Sequence, residues 1–182
     1  SIQRLESQIG TARQKARIGM DLSGLSIGLA SEGAFGADPV GGFIPWNIEV
    51  LFWLDDVNQV EVVGIAQGPS RHLQRSIASM MELERFCSES GFPSHHLVLR
   101  PQCPTDHRVR KGLRRREDLL QAFEDCQNES NNQQVFAEHD LRAFCNPARQ
   151  AMIQRAAKDL LTKIQSCCPN CAQPGFSITR HT

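Results

Sequence analysis

A helical repeat that runs straight into a short apolar strand constrains this chain more than any other feature. In residues 11–36, TARQKARIGMDLSGLSIGLASEGAFG, Ala12, Ala16 and Met20 continue a spacing begun at Leu5 and Ile9. Apolar residues three to four apart predict a helix with one buried face. Ser23-Gly24 supplies its stop, and residues 25–30 then run apolar without alternation, as in a strand covered on both sides. The strand is expected to end at Ser31-Glu32-Gly33. An acid beside glycine at the carboxyl end of a buried strand is where α/β proteins hold ligands.

The rest of the chain repeats this alternation. Residues 33–47 hold four glycines, two prolines and three aromatics, and predict a loop that packs its own aromatics. Runs 48–54 and 60–66 flank Asp55-Asp56-Val57-Asn58-Gln59, a hairpin by length and turn chemistry. A helix is expected from Leu73 through Phe86 to Ser90-Gly91, strands over 95–100 and 109–113, a helix over 116–126, and a strand from Val135 toward Arg142. Asn146-Pro147 offers an N-cap and a first-turn proline. The stripe Met152, Ile153, Ala156, Ala157, Leu160, Leu161, Ile164 then predicts a helix to residue 165. This order predicts an α/β domain over residues 1–166 with a central mixed sheet flanked by helices, followed over 167–182 by a truncated Cys-rich tail.

Twenty basic and twenty acidic residues cancel, so no global field selects nucleic acid or a membrane surface. The apolar runs fall far short of the ~20 residues of a membrane span. The first residues have no apolar signal core and no initiator Met, so an upstream segment is expected. Seven cysteines without framework spacing predict a cytoplasmic or other reducing compartment, organelle matrix or stroma included among the latter.

Three segments carry candidate chemistry. Glu32, with Ser31 and Gly33, can hold Mg²⁺ or orient a water, while Arg13, Lys15 and Arg17 on the preceding helix meet phosphate oxygens; the alternative is a carboxylate capping a turn. Asp140, Arg142, Asn146 and Arg149 lie where a capped helix begins, a favourable place for an anion; the alternative is a solvated surface turn. Asp106, His107 and Lys111 open a basic stretch that continues to Arg116. It lacks interleaved aromatics for base stacking, so nucleic acid is not an expected partner. Cys168 and Cys171 have zinc-ligand spacing, but two thiols make an incomplete shell; Cys103, Cys167 and His181 are poorly spaced to complete it.

The segments ARQKARIGMDLSGLSIGLASEGAFG, FIPWNIEVLFWLDD, DHRVRKGL, HDLRAFCNPAR and CPNCAQPGF together resemble an uncharacterised, mainly bacterial family that pairs an α/β domain with a C-terminal zinc ribbon. More distantly, the order of elements resembles the inosine/xanthosine triphosphatases. That resemblance sets Glu32 at the acid after the first strand, Arg13 and Lys15 at basic positions of the preceding helix, and Arg142 in the late basic turn. It implies Mg²⁺-dependent hydrolysis of a nucleoside triphosphate or related phosphate ester. The Thr/Ser-x-Asn-x-x-Lys loop that opens those enzymes is not among these residues, and the alternative is a non-catalytic subunit or binding module of a larger assembly. A homodimer is compatible with both.

Overall fold

The computed structural model describes residues 2–176. The chain is mixed α/β and forms two compact units, residues 1–70 with 151–182, and residues 71–150. In place of one central mixed sheet there are two sheets, of three and four strands, and every strand pairing in both is antiparallel.

The first unit holds helix α1 (Ile2–Ser23), strands β1 (Ile27–Ala37), β2 (Pro45–Asp55) and β3 (Val60–Pro69), and all but the first turn of the last helix, α4 (Pro147–Gln165). The sheet order is β1-β2-β3. Alternation along β2 divides the core. Val50, Phe52 and Leu54 pack with Ala12, Ala16 and Met20 of α1, while Leu51 with Val62 and Ala66 packs against Met152, Ala156 and Leu160 of α4. Two apolar helix stripes thus cover the two faces of one sheet, which is why β2 reads as a continuous apolar run.

Both helices approach where the strands carry glycine. A side chain on Gly28 would lie 2.7 Å from Met20 Cγ and 2.9 Å from the Ala16 carbonyl oxygen. One on Gly64 would meet the Ala156 carbonyl oxygen and lie 2.5 Å from Leu160 Cβ. The outer edge of β3 is also closed by α4: Ile65 N–H donates to Asp159 (2.8 Å) and Lys163 Nζ to the Val63 carbonyl (2.9 Å).

The first strand does not stop at Ser31. It pairs with β2 in unbroken register from Ile27 opposite Asp55 to Ala37 opposite Pro45, so Glu32 and Gly33 lie mid-strand. Gly33 and Gly36, which read as turn residues, are extended here because the ladder to β2 spans them. The turn falls at Asp38, whose carboxylate accepts the N–H groups of Val40, Gly41, Phe43 and Ile44. These bonds hold its pKa well below the carboxylate range. Phe43 and Val40 at this tip face solvent, not a self-packed aromatic cluster.

The second unit comprises β4 (Gln74–Ile77), α2 (Met80–Ser90), β5 (Leu97–Pro101), β6 (Arg110–Leu113), α3 (Arg116–Glu129) and β7 (Val135–His139), in sheet order β4-β7-β5-β6. Its core gathers Ile77, Leu83, Phe86, Leu97, Leu99, Leu119, Phe123 and Val135. The helix expected from Leu73 begins only at Met80. Ser79 Oγ accepts the Glu82 N–H, and the Glu82 carboxylate accepts that of Ala78, a reciprocal cap that starts the helix and frees the preceding residues to form β4.

Candidate functional site

Lys15 reaches the Glu32 carboxylate because α1 is seated on the sheet by Ala12, Ala16 and Met20, and because Gly28 lets the helix come close to β1. The flank of α1 above β1 then carries Lys15, whose ammonium forms an ion pair with Glu32. About half of the lysine side chain (53%) and a quarter of the glutamate side chain (25%) are exposed, so the pair lies open to a ligand. Arg13 and Arg17 leave from the opposite flank. Arg13 pairs with Glu61 at 2.6 Å and Arg17 grips Asp56, one arm at 3.0 Å. Arg13 is therefore held away from Lys15 and Glu32. Ser31 projects from the other face of β1, by strand alternation, and is exposed.

A second acid sits on the neighbouring strand. Glu49 of β2 is directly opposite Gly33 in the ladder and fully buried, on the face away from α1. Asn47 donates to its Oε1 (3.1 Å) and to the Ala34 carbonyl (3.2 Å). Buried carboxylates persist only with partners. The signal was available in FIPWNIEVLFWLDD, where Asn47 and Glu49 are polar two apart inside an apolar run, and so share one face of a strand.

In the second unit Asp140 is buried and organises its surroundings. It accepts the N–H groups of Gly112 (2.9 Å) and Arg142 (3.1 Å) and the Arg142 guanidinium (2.6 Å to Nη2). Burial pushes its pKa up, but these donors outweigh it and hold the carboxyl below its ordinary value. Arg142 also lies over the Phe144 ring at 4.8 Å. Asn146 caps α4 as its position predicts, accepting the Arg149 N–H (3.0 Å), and Arg149 donates to the Leu141 carbonyl (2.6 Å).

The basic stretch is largely neutralised where it stands. Arg108 chelates Asp106 (2.6 Å), Arg110 binds Glu129 (3.0 Å to one arm), Arg116 binds Glu84, and Arg115 lies near Glu117 and Asp118. Lys111 and Arg114 form no ion pair among the described residues, and His107 is exposed. The structure therefore ties most of this run into local ion pairs at the surface.

The Arg108 side chain and N–H together lower the Asp106 pKa to about 2. An unfolded aspartate titrates near ~3.9. Folding favours the ionised form, so its contribution is whole above about pH 4 and drains away as pH falls toward 2. Glu129, Glu138 and Asp140 are shifted the same way. Melting temperature should fall steeply below about pH 4, and Asp106→Asn should flatten part of that fall. A profile level down to the acid limit, or one unchanged by the substitution, would refute this account.

At the tail, Cys168 N–H donates to the Gln173 carbonyl (2.8 Å) and its carbonyl accepts from Ala172 (2.8 Å). Backbone N–H groups of Cys171 and Asn170, with the Cys171 thiol, lower the Cys168 pKa. Among the described residues no group of three or more His, Cys, Asp or Glu side chains is placed to hold a metal ion. His181 lies outside the described residues. No helix among the described residues is long and apolar enough to cross a membrane.

The chain belongs to the family described as a domain of unknown function (DUF6671), whose model matches residues 15–182. No curated protein and no solved structure matches the chain.

Proposed function

We propose that this member of the DUF6671 family is a Mg²⁺-dependent phosphohydrolase acting on a nucleoside triphosphate or a related phosphate ester. The observation that carries the reading is the solvent-accessible Lys15–Glu32 pair on the α1 side of β1. A lone carboxylate with a free face suits Mg²⁺, which is commonly held by one or two carboxylates together with substrate phosphates. Glu32 would hold the ion, whose chemistry is to neutralise charge on the phosphoryl oxygens. With Glu32 engaged in this way, the Lys15 ammonium would be free to neutralise charge on the phosphate.

One observation favours a second reading, a phosphate-binding module without turnover. Arg13, Lys15 and Arg142 are each already matched by a carboxylate of their own unit: Glu61, Glu32 and Asp140.

A phosphate-release screen over canonical and modified nucleotides, with and without Mg²⁺, separates the two. On the first reading, turnover requires Mg²⁺, and Glu32→Gln lowers it on the order of 10²–10³-fold with the melting temperature kept. On the second, no nucleotide is cleaved, and Glu32→Gln changes only nucleotide affinity. A chain that neither cleaves nor binds any of them sinks both.

A further inference from the structure

In the second unit a groove of about 440 Å³ lies between α2 and the start of α3. Its α2 wall follows from helical spacing. Glu84, Cys87 and Ser88 are three and four apart, so they share one flank, beside the face that buries Leu83 and Phe86. Gly91, in the left-handed conformation (φ 74°), ends α2, and the Phe92 N–H returns to the Cys87 carbonyl (3.2 Å). Phe92 and Pro93 are thereby set against the groove. The far wall carries Arg114, just past β6, and Arg116, in the first turn of α3.

Floor and rim differ in chemistry. Cys87, Phe92 and Pro93 offer apolar surface, and burial pushes the Cys87 thiol pKa up to about 11, so it stays neutral. On the rim, Arg116 is committed to Glu84, one arm at 3.0 Å. Arg114 is exposed and forms no ion pair among the described residues. The lining therefore holds two guanidiniums and one carboxylate, a single positive charge in excess. Two acids of the first turn of α3, Glu117 and Asp118, lie near Arg115 instead, at 3.6 and 3.9 Å.

We propose that this groove binds a small aromatic carboxylate, its ring on the apolar floor and its anionic group on Arg114. A volume of this size falls within the range of small-molecule sites. An aromatic body suits the Phe92 ring, which offers a flat partner, and the guanidinium fork matches the two carboxylate oxygens. One unmatched cation selects a monoanion. A phosphate monoester carries close to two charges and would need Arg116 as well, which Glu84 already holds. The inference rests on residues of the second unit alone and is independent of the phosphate reading.

Titration of the ¹⁵N-labelled full chain with 2-naphthoate, followed by amide chemical shifts, provides the test. Saturating shifts are expected at Ser88, Phe92 and Arg114 but not at Glu32, with a Kd on the order of 1 mM or tighter. Arg114→Gln should weaken binding about tenfold, and 2-naphthalenemethanol, the same ring system without the charge, should bind the parent about tenfold more weakly. Arg115→Gln, one residue away but beside Glu117 and Asp118, should leave binding as it was. Both arginines are exposed, so both variants should melt with the parent. Ser88→Trp, which fills the groove from an exposed site, should abolish saturation. Shifts that never saturate at these residues, equal binding of acid and alcohol, or binding indifferent to Arg114→Gln overturns the proposal.

Discussion

Gly64→Val should unfold the first unit or shift α4 off its sheet. A side chain at Gly64 collides with the carbonyl oxygen of Ala156 and lies 2.8 Å from the Leu160 nitrogen. These are backbone atoms inside a helix, and no rotamer change relieves them. Overpacking of a core typically costs about 1–3 kcal/mol and more where backbone must move. Alanine at Gly64 already meets that clash and should cost on the order of 3 kcal/mol, with valine beyond it. Chemical denaturation followed by tryptophan fluorescence reports it well, since Trp53 borders the α4 face. An alanine variant with the parent's midpoint would show that α4 does not sit this close.

Asp140→Ala is the counterpart in the second unit. It strips the Gly112 N–H, the Arg142 N–H and the guanidinium of a common acceptor in one step. Removing one partner of a buried ion pair can cost about 3–5 kcal/mol. Arg142 is partly exposed and recovers water, so roughly 2–3 kcal/mol is expected. Asp140→Asn should lose less, because one amide oxygen still accepts while its NH₂ faces a donor. The alanine variant should also lose part of the acid sensitivity, since the depressed Asp140 pKa contributes above about pH 4 only. Denaturation midpoints at neutral pH and near pH 3 check both points; an alanine variant as stable as the parent would refute the assigned role.

Much of the fold is legible where one side-chain period dominates. The seven-residue stripe with Asn146-Pro147 places α4, and the two apolar runs around Asp55–Gln59 place the β2–β3 hairpin, because burial and turn chemistry agree there. Periodicity does not say which strands pair, so an expected mixed sheet became two antiparallel ones. Gly33 and Gly36 read locally as turn signals, yet eleven residues of ladder with β2 keep them extended. Ser79 with Glu82 was a readable helix start, masked by Leu73 and Ile77 at helical spacing. At the site, charge type was visible but pairing was not: Arg13 and Lys15 are two apart in sequence and leave opposite flanks of one helix. Glu49 is hard to see in the sequence because the apolar residues around it dominate the pattern of β2.

The way the two units share the chain sets an order in time. Residues 71–150 are continuous, whereas the first unit needs both residues 1–70 and the helix that follows residue 150. On a ribosome, where domains complete as their segments emerge, the four-stranded sheet and its two helices are available whole before the three-stranded sheet has received α4. Until Met152, Ala156 and Leu160 are synthesised, Leu51, Val62 and Ala66 form an apolar face with no cover, and the β3 edge lacks Asp159 and Lys163. Residues 1–70 are thus made before the four-stranded unit yet completed after it, and the nascent protein carries this uncovered apolar face for the length of the intervening unit.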